Sequence, residues 1–125
     1  MTPRWSPFTP EQLDQLVANR VPLTSQEQRR CPACGHQAVR RYYYEQYSSG
    51  RGHLIGMSYS WCAHCHRYTS STGIPLSSDY DFDEPVDVNG ELARLRRTDL
   101  LGLLDHLDRL WESGDLPQKF TPKTP

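Results

Sequence analysis

The sequence is short of apolar residues. Of its 125 residues, 36% are hydrophobic, below the roughly 45–50% of ordinary globular domains on a slightly different residue list. No run approaches the roughly 18–20 consecutive apolar residues that a membrane-spanning helix needs. Charge of one sign is also lacking: the net value is −1, which excludes binding to nucleic acid by total charge alone. Met1 to Pro10 carries one arginine and no apolar stretch. No secretory signal is therefore expected, and a cytoplasmic chain with reduced thiols is. The length suits one domain and leaves no room for two large cores. So thin a core calls for another staple.

Four cysteines are the candidates. Cys31-Pro32-Ala33-Cys34-Gly35 and Cys62-Ala63-His64-Cys65 are two C-x2-C pairs with 27 residues between them. Such a knuckle turns both thiolates and several backbone N–H groups toward one point, and two knuckles can supply the corners of a tetrahedron. The doubled spacing predicts one structural Zn2+ held by Cys31, Cys34, Cys62 and Cys65. Glycine at position 35 suits the backbone such a turn needs. Two disulfides would be out of place in a cytosolic chain. A redox C-x-x-C would need a βαβ setting that is missing here. Iron or an iron–sulfur cluster accepts the same four thiolates, so the spacing leaves the metal open. His36, His64 and His66 flank the knuckles and could replace a cysteine as ligand; with four cysteines present they are read as surface residues or hydrogen-bond donors to the site.

The remaining pattern predicts an α+β fold: a small antiparallel sheet flanked by an N-terminal and a C-terminal helix. The N-terminal helical segment covers 9–21, its helix lying near 10–20. Thr9 is its N-cap, Pro10 its first residue, and Gln12 completes a capping box. Phe8 and Leu13 stand at staple positions, and Leu13, Leu16 and Val17 form its apolar stripe. Residues 31–72 carry the knuckles and three strands: Gln37–Tyr47, His53–Trp61 and Arg67–Thr72, with a turn at Ser48–Gly52. Residues 77–91 read as a solvated acidic loop, 92–114 as a C-terminal helical segment, and 118–125 as a frayed tail. The main helix is placed at 98–113, with Thr98 as N-cap, Gly114 as stop, and Asp105 spaced to pair with Arg109.

Residues 31 to about 72 resemble a zinc ribbon: knuckle, hairpin, knuckle, closing strand. That likeness covers about a third of the chain and implies a metal, not an activity. Trp61-Cys62-Ala63-His64-Cys65, following a Gly-Arg-Gly turn and preceding Ser/Thr-rich and acidic segments, is similar to small bacterial zinc-ribbon proteins that serve as immunity partners in polymorphic toxin systems. The stretch Leu104-Asp105-His106-Leu107-Asp108-Arg109-Leu110-Trp111 resembles uncharacterised actinobacterial proteins of similar size. The likeness to immunity partners implies a protein that binds and inhibits another; the other likenesses imply no function.

No catalytic constellation emerges. Neither a Walker loop nor GxGxxG is present, the histidines do not form H-E-x-x-H, and no glycine-flanked serine elbow occurs. The chain is expected not to be an enzyme. Its charge, however, is split. Residues 29–67 hold six arginines against Glu45, a local +5, while 79–91 hold six acids and no base, a local −6. On a strand, Arg40, Tyr42 and Tyr44 share one face, and Arg41 and Tyr43 the other. With at least one face of a small ribbon exposed, Arg40, Arg41, Tyr42, Tyr44 and Arg51 are candidate partner-binding residues, since Arg and Tyr are enriched at interface hot spots. Asp79, Asp81, Asp83 and Glu84 are candidates on the acidic side, suited to mask a basic partner protein. The alternative is nucleic acid, with the basic, tyrosine-rich hairpin stacking on bases.

Overall fold

A computed structural model describes residues 4–123. In chain order the elements are β1 (Ser6–Pro7), α1 (Pro10–Ala18), β2 (Arg29–Arg30), β3 (Gln37–Ser48), β4 (His53–Cys62), β5 (Arg67–Gly73), β6 (Tyr80–Phe82), α2 (Glu91–Thr98), α3 (Leu100–Ser113) and β7 (Phe120–Pro122). The architecture is a small α+β fold. Strands run in the order β1-β5-β4-β3-β2, with β6 and β7 as a separate ribbon. The predicted three-strand meander is present. β1 adds a short parallel pairing to the outer edge of β5, at Arg67 and Tyr68. It leaves Thr69–Gly73 with no strand neighbour on that side.

The α1 signals hold. Thr9 Oγ1 accepts from the Gln12 amide and the Gln12 side chain accepts from the Thr9 amide, a box worth on the order of 1 kcal/mol. The helix ends at Ala18, and Val17, assigned to its apolar stripe, is exposed instead. Only Leu16 and, in part, Leu13 pack inward, beside Phe8, Val39, Cys31 and Cys62.

The larger core is free of cysteine. It joins Tyr42, Tyr44, Tyr59 and Trp61 on one face of the sheet to Leu92, Leu95, Leu103, Leu104 and Leu107 of α2 and α3. Each fully buried leucine contributes on the order of 1.5–3 kcal/mol. Here the sequence-based helix needs correction. The shorter helical turn expected over 92–97 is a helix of its own, α2, and the main helix starts at Leu100, because Asp99 is extended (φ −152°) and caps α3 by accepting from the Gly102 amide at 3.0 Å. Thr98, expected as the cap, ends α2 and donates to the Arg94 carbonyl. Gly114 does close α3, with φ +89°. Asp105 does not pair with Arg109; it accepts from Trp5 Nε1 at 2.8 Å and lies near Arg4.

The acidic segment and the tail are also more ordered than expected. Tyr80–Phe82 pairs with Phe120–Pro122; Phe82 and Phe120 stack on each other, and Tyr43 packs edge-on to Phe82 and tilted to Phe120. Gln118, placed in a frayed tail, is buried. Its side-chain amide accepts from the Tyr43 N–H at 2.9 Å and donates to the Tyr43 carbonyl at 2.7 Å. One primary amide thus does for β3 what a neighbouring strand would do. Residues 124 and 125 of the expected tail lie outside the described residues. Among the described residues, no helix is long and apolar enough to cross a membrane.

Candidate metal centre

The β3–β4 register puts Val39 opposite Cys62, so the second knuckle begins where the first has just ended. Both knuckles are built alike. In the first, the Ala33 amide donates to Cys31 Sγ at 3.3 Å and the Gly35 amide to the Cys31 carbonyl at 2.9 Å. In the second, the Cys65 amide lies 3.4 Å from Cys62 Sγ and the His66 amide donates to the Cys62 carbonyl at 3.0 Å. Each chain then leaves through a left-handed residue four positions after the first cysteine, Gly35 at φ +79° and His66 at φ +63°. Glycine adopts this freely; a histidine there is uncommon and held by its surroundings. The His66 ring packs edge-on to Trp5, 5.1 Å between centroids.

The four sulfurs converge as the spacing predicts. All lie within 4.8 Å of one another, with Cys31–Cys65 and Cys34–Cys62 both at 3.6 Å. A tetrahedral ion with metal–sulfur bonds near 2.3 Å would set its sulfurs about 3.8 Å apart. The cysteines are unbridged, and Cys31 and Cys62 are buried. Burial pushes the Cys62 and Cys65 thiols up. Burial also opposes the Cys34 thiolate, yet hydrogen bonds with His36, Cys62 and Cys31 together outweigh it and bring Cys34 down to about 6. Four soft sulfur donors at these distances can hold one metal ion, and a cation is what would let them all ionise together.

His36 and His64 are exposed and stack at 3.6 Å between centroids, beside Cys34. They roof the centre, while the four cysteines alone complete a tetrahedral set.

The candidate partner-binding residues divide sharply. Arg40, Arg41, Tyr42 and Tyr44 are all buried, at 8%, 6%, 0% and 4% exposure. The expectation that one face of the ribbon is open is corrected for these four: α2 and α3 cover one face, and the segment from Val21 to Ser25 covers Arg41. Arg40 pairs with Asp108 at 2.9 Å and Glu112 at 2.7 Å. Arg41 Nη1 donates to the Pro22 and Ser25 carbonyls at 2.6 and 3.2 Å. Burial, then the charge of Arg29, holds the Arg41 pKa down to about 10. Tyr42 bonds Glu84 and Arg96, and Arg96 lies over the Tyr44 ring at 4.4 Å. Glu84 therefore serves an internal contact while half exposed. Burial raises its pKa. Arg51, Asp79, Asp81 and Asp83 are exposed. Asp108 was missed by sequence reasoning. Its signal was an acid four residues after Leu104, on the apolar stripe of α3.

No family model matches the chain, and no curated protein or solved structure matches it.

Proposed function

We propose that the protein is a non-catalytic zinc ribbon that works in the cytoplasm by binding a partner protein, as an immunity-type inhibitor does. The observation that carries this reading is the closed sulfur set. Four thiolates 3.6 Å apart in opposed pairs take every position of a tetrahedral Zn2+, so none remains to activate water. Zinc there supplies folding free energy, which suits a chain with so few apolar residues.

The surface that remains for a partner is acidic and partly apolar. Asp79, Asp81 and Asp83 are exposed along one side, and Tyr47, Leu54 and Ile74 expose apolar groups around the β3–β4 hairpin end, with Arg51 in the turn. This mixture fits a basic protein surface. The nucleic-acid alternative loses much of its support, since Arg40, Arg41, Tyr42 and Tyr44 are inside the fold and only Tyr47 and Arg51 of the hairpin stay exposed.

Two measurements test the reading together. Elemental analysis of the purified chain should give one zinc per chain. Affinity capture from the source cell should recover a stoichiometric protein that is lost when Asp79, Asp81 and Asp83 are changed to lysine. Recovery of no such protein, or of nucleic acid alone, overturns it.

A further inference from the structure

On the face of the sheet turned away from α2 and α3, two arginines lie side by side. Val39, Arg41 and Tyr43 share this face by strand alternation. Arg29 stands opposite Val39 in the β2–β3 register. Its guanidinium reaches across to Ser60 Oγ, 3.3 Å away, and Ser60 is the register partner of Arg41. Both side chains therefore converge on one strip of sheet. Among the described residues, neither forms an ion pair with a carboxylate. The Nε of each is buried with no hydrogen-bond partner. Adjacent cations with no acid are an unfavourable arrangement for a chain to bury.

The strip opens to solvent through a cleft of about 640 Å3 beside the first knuckle. Arg29 and Arg30 line it, with Gln15, Asn19, Ser25 and Gln28 as further polar groups and Glu27 as its acid. Arg41 stands behind the wall, bonded to the carbonyls of Val21 and Ser25, which line the cleft themselves. Three guanidinium charges thus meet one carboxylate, and the four-thiolate zinc proposed above, net −2, borders the cleft at Cys31.

We propose that this cleft binds a phosphate-type dianion, free or as a phosphate ester, with Arg29 and Arg30 in direct contact and Arg41 as a fixed charge behind them. The buried, unpartnered Nε groups of Arg29 and Arg41 mark guanidinium capacity that the chain itself leaves unused, and guanidinium forks pair with phosphate oxygens in parallel hydrogen bonds. The proposal is independent of the protein-binding reading.

The test is calorimetric titration of the full, metal-loaded chain with inorganic phosphate and with a nucleoside monophosphate, against chloride at equal ionic strength. Saturable binding of one anion per chain is expected, with a higher melting temperature in phosphate than in chloride. Arg30→Gln should weaken binding at least tenfold; its side chain is exposed and belongs to neither core, so folding should survive. Arg29→Gln should do the same, and if it fails to fold, Arg30→Gln decides alone. Arg109→Gln, exposed on α3, should leave binding unchanged. The probe that binds more tightly distinguishes free from esterified phosphate. Absence of saturable binding, or equal weakening by Arg30→Gln and Arg109→Gln, overturns the proposal.

Discussion

Arg40 of β3 and Asp108 of α3 form an ion pair of 2.9 Å, with side chains only 10% and 12% exposed. The same Asp108 oxygen accepts from Trp61 Nε1 at 2.9 Å, so one carboxylate ties two strands to the helix. Removing Asp108 strips the buried Arg40 of one of its two acids, with Glu112 remaining at 2.7 Å, and leaves the buried Trp61 N–H without an acceptor. Asp108→Ala should cost about 3–5 kcal/mol, read from the urea midpoint. An apolar replacement of both, Arg40→Met with Asp108→Leu, should recover only part of the loss, because the buried Trp61 N–H still lacks an acceptor, at about 1–3 kcal/mol. A double variant no better than the single would show that the pair matters for more than charge balance.

Cysteine substitution should separate the two cores. Cys31→Ser or Cys62→Ser is expected to lose the metal and lower the melting temperature strongly, because one of four ligands has gone. Elemental analysis and a thermal melt check this. Metal content and melting both unchanged from the parent would refute the structural-metal assignment.

Glu45 carries a pH dependence with a defined sign. Burial opposes its charge, but hydrogen bonds outweigh burial: its carboxylate accepts from Tyr43 Oη at 2.6 Å and from the Leu76 and Ser77 amides at 2.8 and 3.0 Å. Its pKa is lowered from 4.5. A lowered folded-state value gives stability above the unfolded pKa that is lost as pH falls through the folded one. Glu45→Gln should thus lower the urea midpoint at pH 7, and the gap to the parent should narrow below about pH 4.5. Comparing the two proteins at each pH cancels any acid loss of metal common to both.

Gln118→Ala should strip the edge of β3. The Tyr43 N–H, buried and without a partner, would cost about 1–3 kcal/mol. Hydrogen exchange at the Tyr43 amide should accelerate most. Exchange unchanged there would mean that another group reaches Tyr43.

How much of this could be read in the chain depends on the range of each interaction. The α1 cap is set by Thr9 and Gln12, three residues apart, and was legible. So was the sulfur cluster, because each knuckle is local and β-strand alternation brings the pair together. What escaped was long-range pairing. Arg40 looks like a surface cation until Asp108, sixty-eight residues later, is placed over it. Gln118 looks like tail until it meets Tyr43. The break at Asp99 was hidden because Thr98 and Asp99 are both good caps, and the choice rests on packing of α2 against the sheet.

The two edges of the main sheet differ in a way that limits assembly. On β3, Gln118 occupies the outward N–H and C=O of Tyr43, which blocks strand addition at that point. On β5, Thr69–Gly73 keeps its outward backbone groups free of any strand and carries no charge to repel a neighbour. Strand addition is therefore one-sided. If two copies met through β5, each would use up the open edge of the other, and the pair would be closed. Pairing through β5 leaves the β3 side of the same sheet interrupted at Tyr43, so the closed pair is the favoured end state.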